Sequence, residues 1–164
     1  MNNYIPKQIE NSIYDIDYKT LLNKNIHFLL YDLDNTIIEY NKSICNQKTK
    51  ELFDNIKELG ITPIIFSNSP KKRVEKIAKA LNIEYESLAF KPLSFKFNKI
   101  LKKYNLKKDE VAIIGDQLLT DIKGGNKIGI TTILVKPIID SDGFLTKFNR
   151  KRERKIKRKL DINE

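Results

Sequence analysis

The chain has one cysteine, one histidine and no apolar run longer than a strand requires. Each shortage excludes something. Cys45 has no second cysteine with which to form an intrachain disulfide, which fits a reducing compartment and makes the cytoplasm the expected location. An isolated thiol of this kind reads as a small buried side chain and not as a nucleophile. The longest apolar stretches, Phe28 to Tyr31 and Ile61 to Phe66, fall far short of the ~20 residues a spanning helix needs, so no transmembrane segment is expected. Met1 to Glu10 carries polar Asn and Gln and no apolar stretch, unlike a secretory signal. His27, standing alone at the start of a strand, reads as structural. Internal repeats and Gly/Ser linkers are also missing. What is there, 40% hydrophobic and 32% charged residues over 164 positions, suits one soluble globular domain.

The net charge of +10 is concentrated at one end. Between Lys147 and Lys159 stand Lys147, Arg150, Lys151, Arg152, Arg154, Lys155, Lys157, Arg158 and Lys159, against the lone acid Glu153. A block of this kind attracts anionic surfaces, either phospholipid headgroups or nucleic-acid phosphates. The plain alternative is a solvated tail without a partner.

From His27 onward, short β-rich apolar runs alternate with stretches of helical period, the pattern of a parallel sheet covered by helices. The strands are predicted over Ile26 to Tyr31, Thr62 to Ser67, Val111 to Gly115 and Thr131 to Val135, with a weaker fifth over Ile83 to Ala89. Helices are predicted over Gln47 to Leu59, with Gly60 as a left-handed terminator, and from Ser69-Pro70 through Leu81. Two more follow over Ser94 to Tyr104 and Asp121 to Ile128. The expected fold is therefore α/β: a three-layer α/β/α Rossmann-like core with a parallel sheet of about five strands. It divides into an N-terminal arm (1–25), a core (26–140) and a basic, helical C-terminal tail (141–164).

Four short motifs lie at the carboxyl ends of predicted strands, where open α/β sheets form ligand crevices. Asp32-Leu33-Asp34-Asn35-Thr36 leaves the first strand with two acids two residues apart, so their carboxyl groups can converge on one metal and one phosphorus. Asp32 is the candidate nucleophile, with Mg²⁺ offsetting the repulsion between carboxylate and phosphate. Asp34 is the candidate general acid and base. Ser67-Asn68 offers a hydroxyl and backbone N–H groups to phosphate oxygens, beside a helix start. Lys91-Pro92 supplies an ammonium that would neutralise nucleophile and phosphate together. Gly115-Asp116-Gln117-Leu118-Leu119-Thr120-Asp121 supplies carboxylates for a hard, oxygen-preferring cation. Singly, each is commonplace: a solvated acidic turn, a helix cap, a chance Lys-Pro pair. Their order, each after its own strand, is not.

Together they resemble the haloacid dehalogenase (HAD) superfamily of phosphohydrolases, over Ile26 to about Val135. The resemblance implies catalytic roles for Asp32, Asp34 and Lys91. It implies phosphate binding by Thr36, Ser67, Asn68 and Lys91, and a Mg²⁺ site formed by Asp32, Asp34 (through its backbone carbonyl), Asp116 and Asp121. Members usually carry a cap domain after motif one or between motifs two and three, and neither interval has room here, so an uncapped core of subclass IIIA is expected. An open crevice leaves water exclusion to the substrate, a partner or a surface. The compact size, the DLDNT and GDQLLTD motifs and the basic tail resemble the YqeG-like subfamily, related to phosphatidylglycerophosphate phosphatases. That implies a lipid-headgroup substrate and peripheral attachment at the inner membrane surface. Two rival expectations stand beside it. One is a phosphatase of a soluble sugar phosphate, nucleotide or nucleic-acid end; the other is an RNA-binding module with a regulatory phosphatase site.

Overall fold

A computed structural model describes residues 2–139, 144–160 and 162. Six strands, all parallel, form one sheet: β1 (Gln8–Glu10), β2 (Phe28–Tyr31), β3 (Thr62–Phe66), β4 (Glu84–Glu86), β5 (Val111–Gly115) and β6 (Thr131–Val135). Their order across the sheet is β1-β6-β5-β2-β3-β4. The sequence pattern predicts about five; the sixth, β1, comes from the segment read as an arm. Only three residues long, it lacks a periodic signature, and its place on the β6 edge is fixed by backbone pairing.

The helices are α1 (Tyr18–Asn23), α2 (Gln47–Glu58), α3 (Lys71–Leu81), α4 (Ser94–Lys103), α5 (Lys123–Ile128) and α6 (Phe144–Leu160). Helix α2 starts where the Asn46 side chain accepts the Thr49 N–H at 2.8 Å, and stops at Gly60, whose φ of 83° a side chain would resist. Helix α3 departs from expectation at its start. Pro70 is its N-cap, with no side-chain capping bond, and the Ser69 hydroxyl bonds Asp34 instead. Ahead of α5 the chain forms a π-helical turn over Leu118–Ile122, so the predicted single helix from Asp121 is two pieces.

The alternation of side chains along the strands divides the interior into two cores. Leu29, Tyr31, Ala112 and Ile114 pack against Phe53 and Ile56 of α2 and Val74 and Ile77 of α3. Leu30, Ile64, Phe66 and Ile113 pack on the opposite face against Phe97, Ile100 and Leu101 of α4. Burying each of the Leu, Ile, Val and Phe side chains among these stabilises the fold by roughly 1.5–3 kcal/mol. The arm is tied to the central strand by a buried relay in which the Tyr31 hydroxyl donates to the Tyr18 hydroxyl, and that to the Ile13 carbonyl, at 2.9 and 2.7 Å.

A third cluster, Leu118, Ile122 and Leu134, receives Ile156 and Ile162 and seats α6. The expected boundary between residues 140 and 141, and the loop around it, lie outside the described residues. Among the described residues, no helix is long and apolar enough to cross a membrane.

From β2 the chain runs outward through β3 and β4, then returns by α4 to β5 on the other side of β2. The carboxyl end of β2 is thus the switch point where an open α/β sheet leaves a crevice. Among the described residues, the 34–46 segment and the single helix between β3 and β4 place no cap domain over it.

Candidate active site

Asp32 sits one residue beyond β2, its N–H donating to the Ile114 carbonyl at 2.9 Å, so the strand pairing itself fixes the carboxylate's origin. The chain then turns sharply at Asn35, whose φ of 61° is tolerable for asparagine, with the N–H groups of Ile37 and Ile38 folding back to the Leu33 carbonyl. This turn sends the two acids of motif one to different surroundings.

Asp32 joins a buried cluster. The Lys91 ammonium donates to Asp32 Oδ1 at 2.7 Å and to Asp121 Oδ1 at 2.6 Å, with the lysine side chain 1% exposed. Asp32, Asp116 and Asp121 bring one ligand oxygen each within 4.8 Å of one another. The Thr36 hydroxyl lies 3.4 Å from Asp116 Oδ1, and the Gln117 N–H donates to Asp121 Oδ2 at 3.2 Å. Asp121 reaches this position from the π-helical turn by lying directly over Gly115, where any Cβ would run into its carboxylate. Lys91 is aimed by Asn68, whose side chain accepts the Lys91 N–H at 2.8 Å and donates to the Lys91 carbonyl at 3.3 Å. The Lys91-Pro92 bond is cis.

Burial pushes the Asp32 carboxyl up, to about 7, against the pull of Lys91; the negative charges of Asp121 and Asp34 add to the rise. For Lys91 burial works against the charged form, and Asp121 and Asp32 overcome it, holding the ammonium above the ordinary lysine value. The donors are hard oxygens, convergent and buried, so they fit a small divalent cation such as Mg²⁺.

Asp34 stands apart. Its carboxylate accepts Arg73 Nε at 2.8 Å and Nη2 at 2.6 Å, and a hydrogen bond from the Ser69 hydroxyl; the Arg73 and Asp34 side chains are 22% and 27% exposed. Arg73 also donates to the Lys42 and Glu39 carbonyls at 2.6 and 3.2 Å, fastening the loop after motif one. Ser67 is buried, and its hydroxyl accepts the Ser69 N–H at 3.1 Å. All the predicted site residues therefore lie at one sheet edge. The side chains of Asp32, Lys91, Asp116, Asp121 and Thr36 converge, whereas that of Asp34 turns to Arg73 and that of Asn68 to the Lys91 backbone.

Three residues escape the motif reading. Arg73 left a signal: Lys71, Lys72 and Arg73 crowd the first turn of α3, where the helix dipole disfavours cations and no acid is present. Ser69 left none, since Ser before Pro is an ordinary cap. Glu153 left one as the single acid in the basic run. It is buried, and its carboxylate accepts the Leu119 N–H at 2.9 Å, linking α6 to the turn that carries Asp121.

The structure thus places a buried Asp/Lys cluster, open to a crevice, at the switch point of a parallel α/β sheet. The chain belongs to the haloacid dehalogenase-like hydrolase family, whose model matches residues 12–129. It is 39% identical to "Probable phosphatase YqeG" of Bacillus subtilis (strain 168) over 153 residues, covering 93% of this chain and 89% of that protein. An uncharacterized protein from Listeria monocytogenes serotype 4b shares the fold with a TM-score of 0.57, at 17% identity, over 71% of this chain and 84% of its own. The "putative HAD-hydrolase YfnB from Bacillus subtilis bound to magnesium" does so with 0.54, at 16% identity, over 73% and 91%. The chain is a phosphatase of this family.

Proposed function

We propose that the chain hydrolyses phosphomonoesters through an aspartyl-phosphate formed on Asp32, with Mg²⁺ held by Asp32, Asp116, Asp121 and the Asp34 backbone carbonyl. The observation that carries the proposal is the buried Lys91 ammonium between Asp32 and Asp121. It sets the nucleophile beside the acids of motif four and partly neutralises them. Magnesium bound there supplies charge neutralisation that lets an anionic phosphate approach the carboxylate; YfnB, alike in fold, binds magnesium.

Asp32 Oδ attacks phosphorus as the bond to the leaving oxygen breaks, and Asp34, as the acid, gives that oxygen its proton. Asp34 then takes a proton from water, whose oxygen attacks phosphorus, releasing inorganic phosphate and restoring Asp32. For either step the Asp34 carboxylate has to give up at least one contact with Arg73 or Ser69. The Ser67 and Thr36 hydroxyls, the Asn68 main chain and Lys91 hold the phosphate oxygens.

The open crevice supports a large or surface-bound substrate, with phosphatidylglycerophosphate the first candidate, turned over by a cytoplasmic enzyme that attaches peripherally to the inner membrane. In this reading residues 26–140 are the phosphatase core, flanked by the arm and the basic tail. The test measures phosphate release from phosphatidylglycerophosphate vesicles and from a panel of soluble phosphomonoesters, with and without Mg²⁺. Turnover of the lipid that needs magnesium and Asp32 is expected. Robust turnover of soluble esters with none of the lipid would overturn the substrate assignment, and failure of Asp32 to accept beryllium fluoride would overturn the chemistry.

A further inference from the structure

The carboxyl edge of the sheet carries apolar side chains that the catalytic reading leaves without a task. Ile44, in the loop after β2, is 76% exposed; Phe90 and Phe95, flanking Lys91, are 52% and 60% exposed; Leu88, Leu93 and Ile138 are also exposed. Because every strand is parallel, the segments after β2, β4 and β6 all leave the sheet at the edge where Asp32 sits. They are tied to the site as well. Arg73, which holds Asp34, also holds the Lys42 carbonyl two residues before Ile44, and the Ile138 N–H donates to the Asn35 carbonyl at 3.0 Å.

The outward orientation in the loop after β4 is imposed by the backbone. Leu88 and Phe90 hold φ values of 49° and 47°, a left-handed conformation unfavourable for bulky side chains, while Ala89 between them is buried. Two large apolar groups are thus turned to solvent by a strained loop when the relaxed choice would be glycine or asparagine. Lys96 lies over the rings of Phe90 and Phe95, at 4.9 and 5.7 Å from their centres, an apolar body with a cationic head.

The second observation is charge. Helix α6 is held at this same edge by Glu153, whose partner Leu119 follows β5, and by Ile156 in the third cluster. With Glu153 and Ile156 turned inward, Lys151, Arg152, Arg154, Lys155, Arg158 and Lys159 are exposed. Apolar side chains around an open catalytic crevice, with a cationic helix beside them, complement an anionic lipid bilayer: the apolar groups enter the headgroup–acyl boundary and the cations meet the headgroups.

We infer that the loops after β2, β4 and β6 and the first turn of α4, with Ile44, Phe90, Leu93 and Phe95 at their surface, dock the catalytic crevice against an anionic phospholipid bilayer, with α6 supplying the electrostatic attraction. This rests on the proposed function only in taking the Asp32 crevice as the site that must face the membrane.

The chain lacks tryptophan, so Phe95→Trp introduces a single fluorescent reporter in the apolar rim, and Ile9→Trp in β1 a control outside it. With equimolar phosphatidylglycerol/phosphatidylcholine vesicles the emission of the Phe95→Trp variant should shift to the blue and be quenched by brominated acyl chains. Phosphatidylcholine vesicles alone, or the Ile9→Trp control, should give neither change. In co-sedimentation of the full chain, Ile44→Ser with Phe95→Ser should weaken binding at least tenfold, and Lys155→Glu with Arg158→Glu should remove its salt dependence. All variants should keep their activity on p-nitrophenyl phosphate. Unaltered emission, equal binding by the Ser variant, or concentration-dependent self-association abolished by the Ser substitutions would each overturn the inference, the last by making this face a contact between two copies of the chain. Vesicle insertion without phosphatase activity would leave the inference standing and sink the proposed function; activity without insertion would do the reverse.

Discussion

Two acid–base pairs, whose carboxylates stand two residues apart in the sequence, occupy opposite physical regimes. Lys91 with Asp32 and Asp121 is dehydrated, its ammonium 1% exposed, whereas Arg73 with Asp34 lies at the crevice wall with both side chains about a quarter exposed. A buried charge must keep its partners, because removing one leaves the other stranded in a medium that cannot solvate it. A pair within reach of water can be opened at lower cost than a dehydrated one. The contrast matches the tasks proposed for the two acids: a nucleophile that must stay in place, and a proton carrier that must move between a leaving oxygen and a water.

The sharpest way to break the comparison is to alter the two acids of motif one separately. Asp32→Asn should lower phosphate release from p-nitrophenyl phosphate by about 10⁴-fold or more, because no covalent intermediate can form. Asp34→Asn should cost about 10²- to 10⁴-fold, the usual contribution of a general acid–base group. It should still allow acid-stable trapping of phosphoryl-enzyme when the leaving group needs no proton, as with acetyl phosphate. Equal and complete loss of phosphoryl-enzyme in both variants would erase the division of labour.

Stability tests the other half. Lys91→Ala should destabilise the fold by about 3–5 kcal/mol in urea titrations without divalent cation, since it strips the buried Asp32 and Asp121 carboxylates of their shared ammonium. Arg73→Ala should shift stability by no more than about 1 kcal/mol, while kcat falls by up to about 100-fold as Asp34 and the 39–42 loop lose their anchor. A stability loss for Arg73→Ala as large as that for Lys91→Ala would show that the clamp is structural. The smallest effect is expected from metal: millimolar Mg²⁺ should raise the thermal midpoint of the wild type by a few degrees through binding to the folded state, and leave that of Asp116→Asn unchanged.

The two regimes are unequally legible in the sequence. Asp32 and Asp116 directly follow strands that apolar periodicity marks out, and Lys91 and Asp121 stand a few residues beyond β4, which ends at Glu86 and not at the expected Ala89, and β5, so the order of the motifs announces their convergence. The placement of Asp34 does not follow from its spacing from Asp32, because Asn35 turns the chain in a left-handed step and Arg73 reaches it from the first turn of α3, 39 residues on. Ser69 looks like a helix cap for the same reason: cap and clamp have one local signature, and only the neighbouring carboxylate distinguishes them. The edge strand β1 is likewise invisible, its three residues being defined by backbone pairing to β6 and not by side-chain pattern.

What the sequence alone determined is the alternation of strand and helix, the two apolar faces of the sheet and the residues gathered at its carboxyl edge. These follow from periodicity, which each segment carries within itself. What only the tertiary structure decided is which acid is buried beside Lys91 and which is held at the wall by Arg73, that Glu153 faces inward from a cationic helix, and that the loops around the crevice turn apolar side chains outward. Each depends on groups distant in sequence meeting at one place, and the energy of a charge or an exposed ring is set by those neighbours rather than by its own position in the chain.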